Sequence, residues 1–338
     1  MKIRTVILFL LLLPFAACDR KEDAGAVVSD AIQFSSPSLE TRSLINDISQ
    51  LTEGFVVYAS RYNAEYVDTK FFDNVTVAQD GTYDGEYYWT PGAGHEFFAV
   101  YPGSLDYAID ATGKTLNVTG SGPEGKVQAG TDGSGNNILK DILYDIALYD
   151  EPYVPGAGGS DHGKIKFDLK HACSAISFTI NNLSGKNITS VTAAGGSGNV
   201  EITGLYDEGG LSFSMAEGLP TAQWSGLTDG ASTLTLPAMT VTSPDVWSHG
   251  TERAWDTLIL IPQNFASREV LMSFMVTYEG GTSYDKYDVT LSDIRTGGSG
   301  YEYQAGKHYK YKIDITNQDI MCYVAIVPWI EDETIVLE

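Results

Sequence analysis

The 338-residue chain is poor in cysteine, histidine and basic side chains, and it lacks any long apolar run. Three cysteines, Cys18, Cys173 and Cys322, are too few for a disulfide-dense scaffold. Cys173 and Cys322 each sit among strand-like apolar residues and read as small buried side chains, with a single disulfide between them as the alternative. Of the five histidines, only His171 lies near another metal-ligating type, two residues from Cys173. Two ligands do not make a zinc site, so a structural role is expected. No GxSxG, HExxH or phosphate-cradling loop occurs, and no catalytic residue, cofactor or metal is expected. With 21 basic against 44 acidic residues the formal charge is −23, which opposes binding to nucleic acid or to anionic lipid. The apolar run at residues 6–13 is too short to span a bilayer.

That run has a different use. Lys2 and Arg4 precede it, and Ala16, Ala17 and Cys18 follow it, as in a signal peptide. The stretch "LPFAAC" resembles a bacterial lipobox, in which the cysteine receives the acyl chains. Cys18 is the expected lipid-attachment residue, and several acyl chains would anchor the protein stably. A plain signal peptide with an accidental cysteine is the alternative. Lys21, Glu22 and Asp23 follow at once and resemble the signal that sends lipoproteins of Bacteroidetes to the outer face of the outer membrane. Residues 1–17 are thus read as a signal peptide and 18–30 as a lipidated tether. Loss of residues 1–17 removes Lys2 and Arg4 and no acid, leaving 19 basic against 44 acidic groups, a charge of −25.

The remainder reads as strand nearly throughout. Stretches such as "FVVYAS" (55–60), "HEFFAVYP" (95–102), "DILYDIALY" (141–149), "VLMSFMVTY" (270–278) and "YKYKIDIT" (309–316) are rich in β-branched and aromatic residues, many with period two. Clusters of Gly, Asn, Asp and Ser separate them. Helical spacing is confined to residues 43–51 and 266–272. In "KIKFDLK" the apolar residues are Ile165, Phe167 and Leu169, whereas in "SAISFTI" they are Ile176, Phe178 and Ile180. One strand cannot keep a single buried face through that switch. A bulge, or a strand leaving one sandwich for another, would explain it. The domain boundary is therefore expected near residue 170, giving an N-terminal domain over 31–170 and a C-terminal domain over 171–338. Residues 80–86, "DGTYDGE", place oxygen ligands as in a calcium loop, but Pro91 stands where a glutamate is needed. A hairpin turn is the preferred reading, with a weak calcium site as the alternative.

Taken in order, "QFSSPSLETR", "FVVYA", "HEFFAVYP", "DILY", "KFDLKHACSAISFTI", "LILIPQ", "YDVTL", "AGKHYKYKIDI" and "VPWIED" resemble the fimbrillin family, the Fim/Mfa-type pilin lipoproteins of Bacteroidales. A departure is "SGYEYQAGKHY", where Tyr301 and Tyr303 stand in place of the family's usual tryptophan. The resemblance implies an all-β fold of two tandem transthyretin-like antiparallel β-sandwich domains. It also implies a structural subunit of cell-surface fimbriae, in the shaft, anchor or tip, held at the outer membrane as a surface lipoprotein. The implied partners are other fimbrillin subunits, the membrane through the lipid, and a host or bacterial surface receptor. In the family a protease cuts after an arginine and removes the first strand, and Arg42 matches that position. In "AIQFSS" (31–36), Ile32 and Phe34 share a face and would cover the groove so opened. The C-terminal segment from Met321 would be the donor, or residues 321–329 would pack in their own domain and leave only the last residues as an arm. A surface glycan-binding lipoprotein is the other functional reading. It would use exposed rings among Trp89, Trp224, Trp247, Trp255, Trp329 and the tyrosines.

Overall fold

A computed structural model describes residues 31–39, 51, 53–120, 126–154, 163–230, 233–242, 245–280, 284–294 and 302–329. Cys18, Lys21, Glu22, Asp23, Arg42 and residues 330–338 lie outside the described residues. Among the described residues there is no α-helix, only a 3-10 turn at Leu291–Asp293. Residues 266–272, with their helical spacing, form a turn that runs into the strand Leu271–Tyr278. There the alternation of Met272, Phe274 and Val276 toward the core overrides local propensity.

The chain is all-β and sandwich-like. One six-stranded sheet has the order Ser38–Leu39, Asp168–His171, Leu143–Tyr149, Gly94–Tyr101, Phe55–Tyr62, Val67–Val77. The sheet packed against it has the order Leu219–Thr228, Glu208–Ala216, Thr115–Val118, Tyr107–Ile109. The core between them holds Tyr58, Phe98, Val100 and Ile146 from one side and Leu116, Val118, Leu211 and Phe213 from the other. The hairpin Glu208–Thr228 therefore completes a core to which residues 56–146 contribute most of the side chains. It pairs with that sheet at Phe213↔Leu116.

A second pair of sheets encloses a second core. Ser174–Leu183 and Lys307–Thr316 run parallel through nine paired residues, and Ile320–Pro328 continues that sheet as an antiparallel hairpin. A parallel pair needs a long crossover, and here residues 184–306 supply it by building the facing sheet around Leu271–Tyr278. Ile176, Phe178, Ile180, Tyr309, Tyr311 and Ile313 point into this core.

The parity switch near residue 170 coincides with a change of sheet. Asp168–His171 pairs with Leu143–Tyr149, whereas Ser174–Leu183 pairs with Lys307–Thr316. Between them Ala172 and Cys173 turn into the core completed by the hairpin. Leu258–Leu260 also touches both cores, with Leu258 and Leu260 in one and Ile259 in the other. Cys173 and Cys322 are both free thiols.

The central strands of the six-stranded sheet, Phe55–Tyr62, Gly94–Tyr101 and the first half of Leu143–Tyr149, are buried on both faces. Phe55, Val57, Ala59, Phe97, Ala99 and Leu143 leave the far side and form a third core, capped by Trp89, Tyr153 and the N-terminal residues Ile32 and Phe34. Doubly buried strands read as near-continuous apolar runs, which explains "FVVYA" and "FFAVY".

Candidate functional site

The third core is closed by a short piece of chain. Residues 31–39 bind as two brief parallel ladders, Gln33↔Lys164 with Phe34↔Ile165, then Ser38↔Asp168 with Leu39↔Leu169. Outside those pairs, the Ser35 and Ser38 amides donate to the carbonyls of Ile165 and Phe167, each at 2.9 Å. On the other side the Ile32 amide donates to the Tyr87 carbonyl at 2.8 Å, and the Tyr83 hydroxyl donates to the Ile32 carbonyl at 2.6 Å. Burial pushes the Tyr83 hydroxyl above its ordinary range, with smaller contributions from Tyr87 and Tyr88, so it stays a neutral donor.

Period two then fixes the side chains. Ile32 and Phe34 point inward and are each 2 % exposed, while Gln33 between them faces solvent. The Phe34 ring enters a box of four others. Its centroid lies 5.3 Å from Tyr83, 5.9 Å from Phe72, 5.9 Å from Phe167 and 6.2 Å from Phe97. All but Phe167 meet it edge to face, the arrangement that ring quadrupoles favour. Each inserted side chain is worth about 1.5–3 kcal/mol by apolar burial alone. Removal of residues 31–39 would bare this box and leave Lys164–Ile165 without its only sheet neighbour among the described strands.

The sequence placed Ile32 and Phe34 on one face, and the structure brings both to this groove. Two walls of it escaped sequence reasoning. Phe71 and Phe72 belong to the strand Val67–Val77, whose apolar rhythm is broken by register shifts in its pairing with Phe55–Tyr62 and by Asn74 at φ 61°. Tyr83 lies in a turn, where polar composition hides its inward ring.

At the other end of the described residues, the chain runs as strand to Pro328 and continues to Trp329. Ile320–Pro328 pairs along its whole length with Lys307–Thr316. The Trp329 amide donates to the Gly306 carbonyl, and its buried ring stacks on His171 at 4.6 Å. Residues 321–329 thus pack within their own subunit.

The remaining candidates resolve into structural roles. His171 Nδ1 lies 2.8 Å from Asp141 Oδ2, and no group of three metal-ligating side chains occurs among the described residues. Asp80 spends its Oδ1 on the amide and hydroxyl of Thr82, at 2.9 and 2.6 Å, as a turn residue does. The indoles of Trp89, Trp247, Trp255 and Trp329 are buried, and half-buried Trp224 donates to the Ala172 carbonyl at 2.7 Å. The indoles thus form no exposed platform for a glycan, and the exposed tyrosines among the described residues are Tyr66, Tyr88 and Tyr323.

Comparison with known proteins agrees with this architecture. The sequence model of a family described as fimbrillin-like matches residues 41–329. No curated protein matched the chain. Among solved structures, a fimbrial protein from Bacteroides vulgatus is 13% identical with a TM-score of 0.54, covering 88% of this chain and 99% of that one. A proposed cell adhesion protein from Bacteroides ovatus is 16% identical with a TM-score of 0.52, covering 90% and 99%. At such identities the likeness shows the fold alone.

Proposed function

The chain belongs to the fimbrillin-like family and is a structural subunit of fimbriae, and from that premise we propose that it joins them by exchanging residues 31–39 for a strand of another subunit. The observation that carries this reading is the way residues 31–39 are held. Their apolar side chains complete a core, yet their backbone is attached only by two ladders of two residues each and, across the groove, by a single bridge at Ala31↔Tyr88 with the bonds to Ile32. A segment so docked can leave without unravelling the sheet it closes. An incoming strand would recover the same apolar burial and the same backbone bonds.

Arg42 follows this segment closely, and cleavage after it would sever tether and strand together. The donor would be the residues beyond Trp329, where Ile335 and Leu337, two positions apart, would share one face of an extended strand. A head-to-tail contact of this kind propagates as a filament rather than closing as a dimer. Before cleavage, acyl chains on Cys18 would hold the subunit at the outer membrane, and Lys21, Glu22 and Asp23 would direct it to the outer face. The two sandwiches are proposed to meet near residue 170, supported by the change of sheet there.

The test is assembly of the mature protein, read as a ladder on an unheated gel and as filaments by electron microscopy. Arg42→Ala should hold an anchored monomer. Deletion of residues 331–338 should allow cleavage but stop growth at one subunit. If both variants still give the full ladder, strand exchange through these segments is wrong. Cys18→Ala should release the protein from the membrane fraction, and membrane retention after a carbonate wash would overturn the lipid anchor.

A further inference from the structure

The wall opposite the ladder is a tight turn. Gly81 is buried at its tip with φ +87°, a left-handed conformation, and its amide donates to the Ala78 carbonyl at 2.9 Å. The Ala78 amide in turn donates to the Thr82 carbonyl at 2.8 Å, so the turn is closed on itself. What Gly81 touches is not this turn but the N-terminal strand. A Cβ built there would meet the Phe34 carbonyl oxygen at 2.3 Å, the Phe34 carbonyl carbon at 2.8 Å and the Ser35 carbonyl carbon at 3.2 Å. All three are backbone atoms of the docked segment, and none belongs to the body of the sheet.

We propose that the turn 78–83 is a clamp for the strand in the groove, with Gly81 setting how deep any occupant sits and Tyr83 holding its backbone two residues earlier. This rests on residues 31–39 being the segment that assembly replaces. Depth matters because the aromatic box lies beneath residue 34. A strand lifted by one methyl group can no longer bring a ring or a leucine into contact with Phe72, Phe97 and Phe167. The main chain is held on both sides within four residues: at Ile32 by Tyr83 and Tyr87, at Phe34 by Gly81, and at Ser35 by Ile165. The clamp reads backbone rather than side chain. It therefore accepts strands of differing sequence, provided that apolar residues stand at the two inward positions, those of Ile32 and Phe34.

Amide hydrogen exchange on the uncleaved chain, with residues 31–42 still attached, tests this without requiring polymerisation, so its failure is separable from failure of strand exchange. Gly81→Asn is the informative variant, because asparagine tolerates a left-handed turn position while still adding a Cβ. Gly218→Asn is the control. Gly218 has φ +79° at a hairpin tip with nothing within 4 Å of its built Cβ. We expect Gly81→Asn to speed exchange in residues 31–39 by about tenfold or more, with the amides of Leu143–Tyr149 unchanged and Gly218→Asn silent. Tyr83→Phe, which only removes the hydroxyl bond to Ile32, should speed the same peptide by about threefold. Parallel acceleration throughout the chain would mean that Gly81 serves the fold in general and would overturn the clamp. Unchanged exchange in residues 31–39 in both Gly81→Asn and Tyr83→Phe would overturn it as well.

Discussion

Phe34 has four aromatic neighbours and almost no exposed surface, although it belongs to a segment with few backbone bonds. Truncation to alanine should cost about 3 kcal/mol, the ordinary loss for a buried phenylalanine. Urea unfolding of Phe34→Ala would read this, and a loss below about 1 kcal/mol would mean that the box closes without the ring. Glu96 offers a second test at this scale. It is 2 % exposed, and burial pushes its carboxyl up to about 7, against a downward pull from Lys114 and further upward contributions from Asp150 and Asp110. The folded chain then keeps a proton that the unfolded chain gives up near its ordinary value of 4.5. More protons are bound folded than unfolded in that window, so this group's contribution to stability falls as pH rises from about 4.5 to about 7. Glu96→Gln should remove that slope and gain on the order of 1–3 kcal/mol at pH 8 relative to wild type. An equal pH profile for the two proteins would show that the carboxyl is ionised at no cost.

Among the elements, the hairpin Glu208–Thr228 bears most directly on how the halves depend on each other. Leu211 and Phe213 fill the first core, and the Phe213 ring stacks on Tyr144 at 4.8 Å. Without this hairpin, one side of the core keeps, among the described strands, only Tyr107–Ile109, Thr115–Val118 and Val127–Gln128. A fragment ending at residue 170 should therefore remain loosely packed. Its NMR spectrum should lack dispersed methyl signals, whereas the full chain should show them. A well-dispersed fragment spectrum would mean that the hairpin is an ornament of the fold. The N-terminal segment stands at the opposite extreme, since it completes a core while leaving the ladder beneath it, Asp168–His171 with Leu143–Tyr149, intact.

Taken whole, the molecule has cores linked by shared residues. Ile259, Ala175, Cys173 and Trp329 come from the second half of the chain and lie in the first half's core. Heating should accordingly give one cooperative transition, with calorimetric and van't Hoff enthalpies in agreement. Two resolved transitions would show that the shared residues couple the halves weakly. Charge acts on the same scale. With 44 acidic against 19 basic residues once residues 1–17 are lost, subunits repel one another before any strand is exchanged. Filament growth should therefore quicken as ionic strength rises from about 20 to about 150 mM, where the screening length falls below 10 Å. Slower growth with added salt would point to a contact held by ion pairs.

Much of this was legible in residue order. Alternation marked the strands around Phe178 and Tyr311, the parity switch marked the passage between sheets, and Ile32 with Phe34 announced a face to be covered. Local pattern says which side of a strand is apolar, because that depends only on the two-residue repeat. It does not name the partner. Phe97 and Phe98 point to opposite faces of one strand, yet both are buried, one in each of two cores. Neither the parallel pairing of Ser174–Leu183 with Lys307–Thr316 nor the seat of the Glu208–Thr228 hairpin was foreshadowed. The close approach of Gly81 to Phe34 was equally silent, as a glycine in a turn looks the same whether its missing side chain faces water or another strand. These contacts join residues tens to more than a hundred positions apart, and only the packing of the complete chain selects them from the many pairings that equally apolar strands would allow.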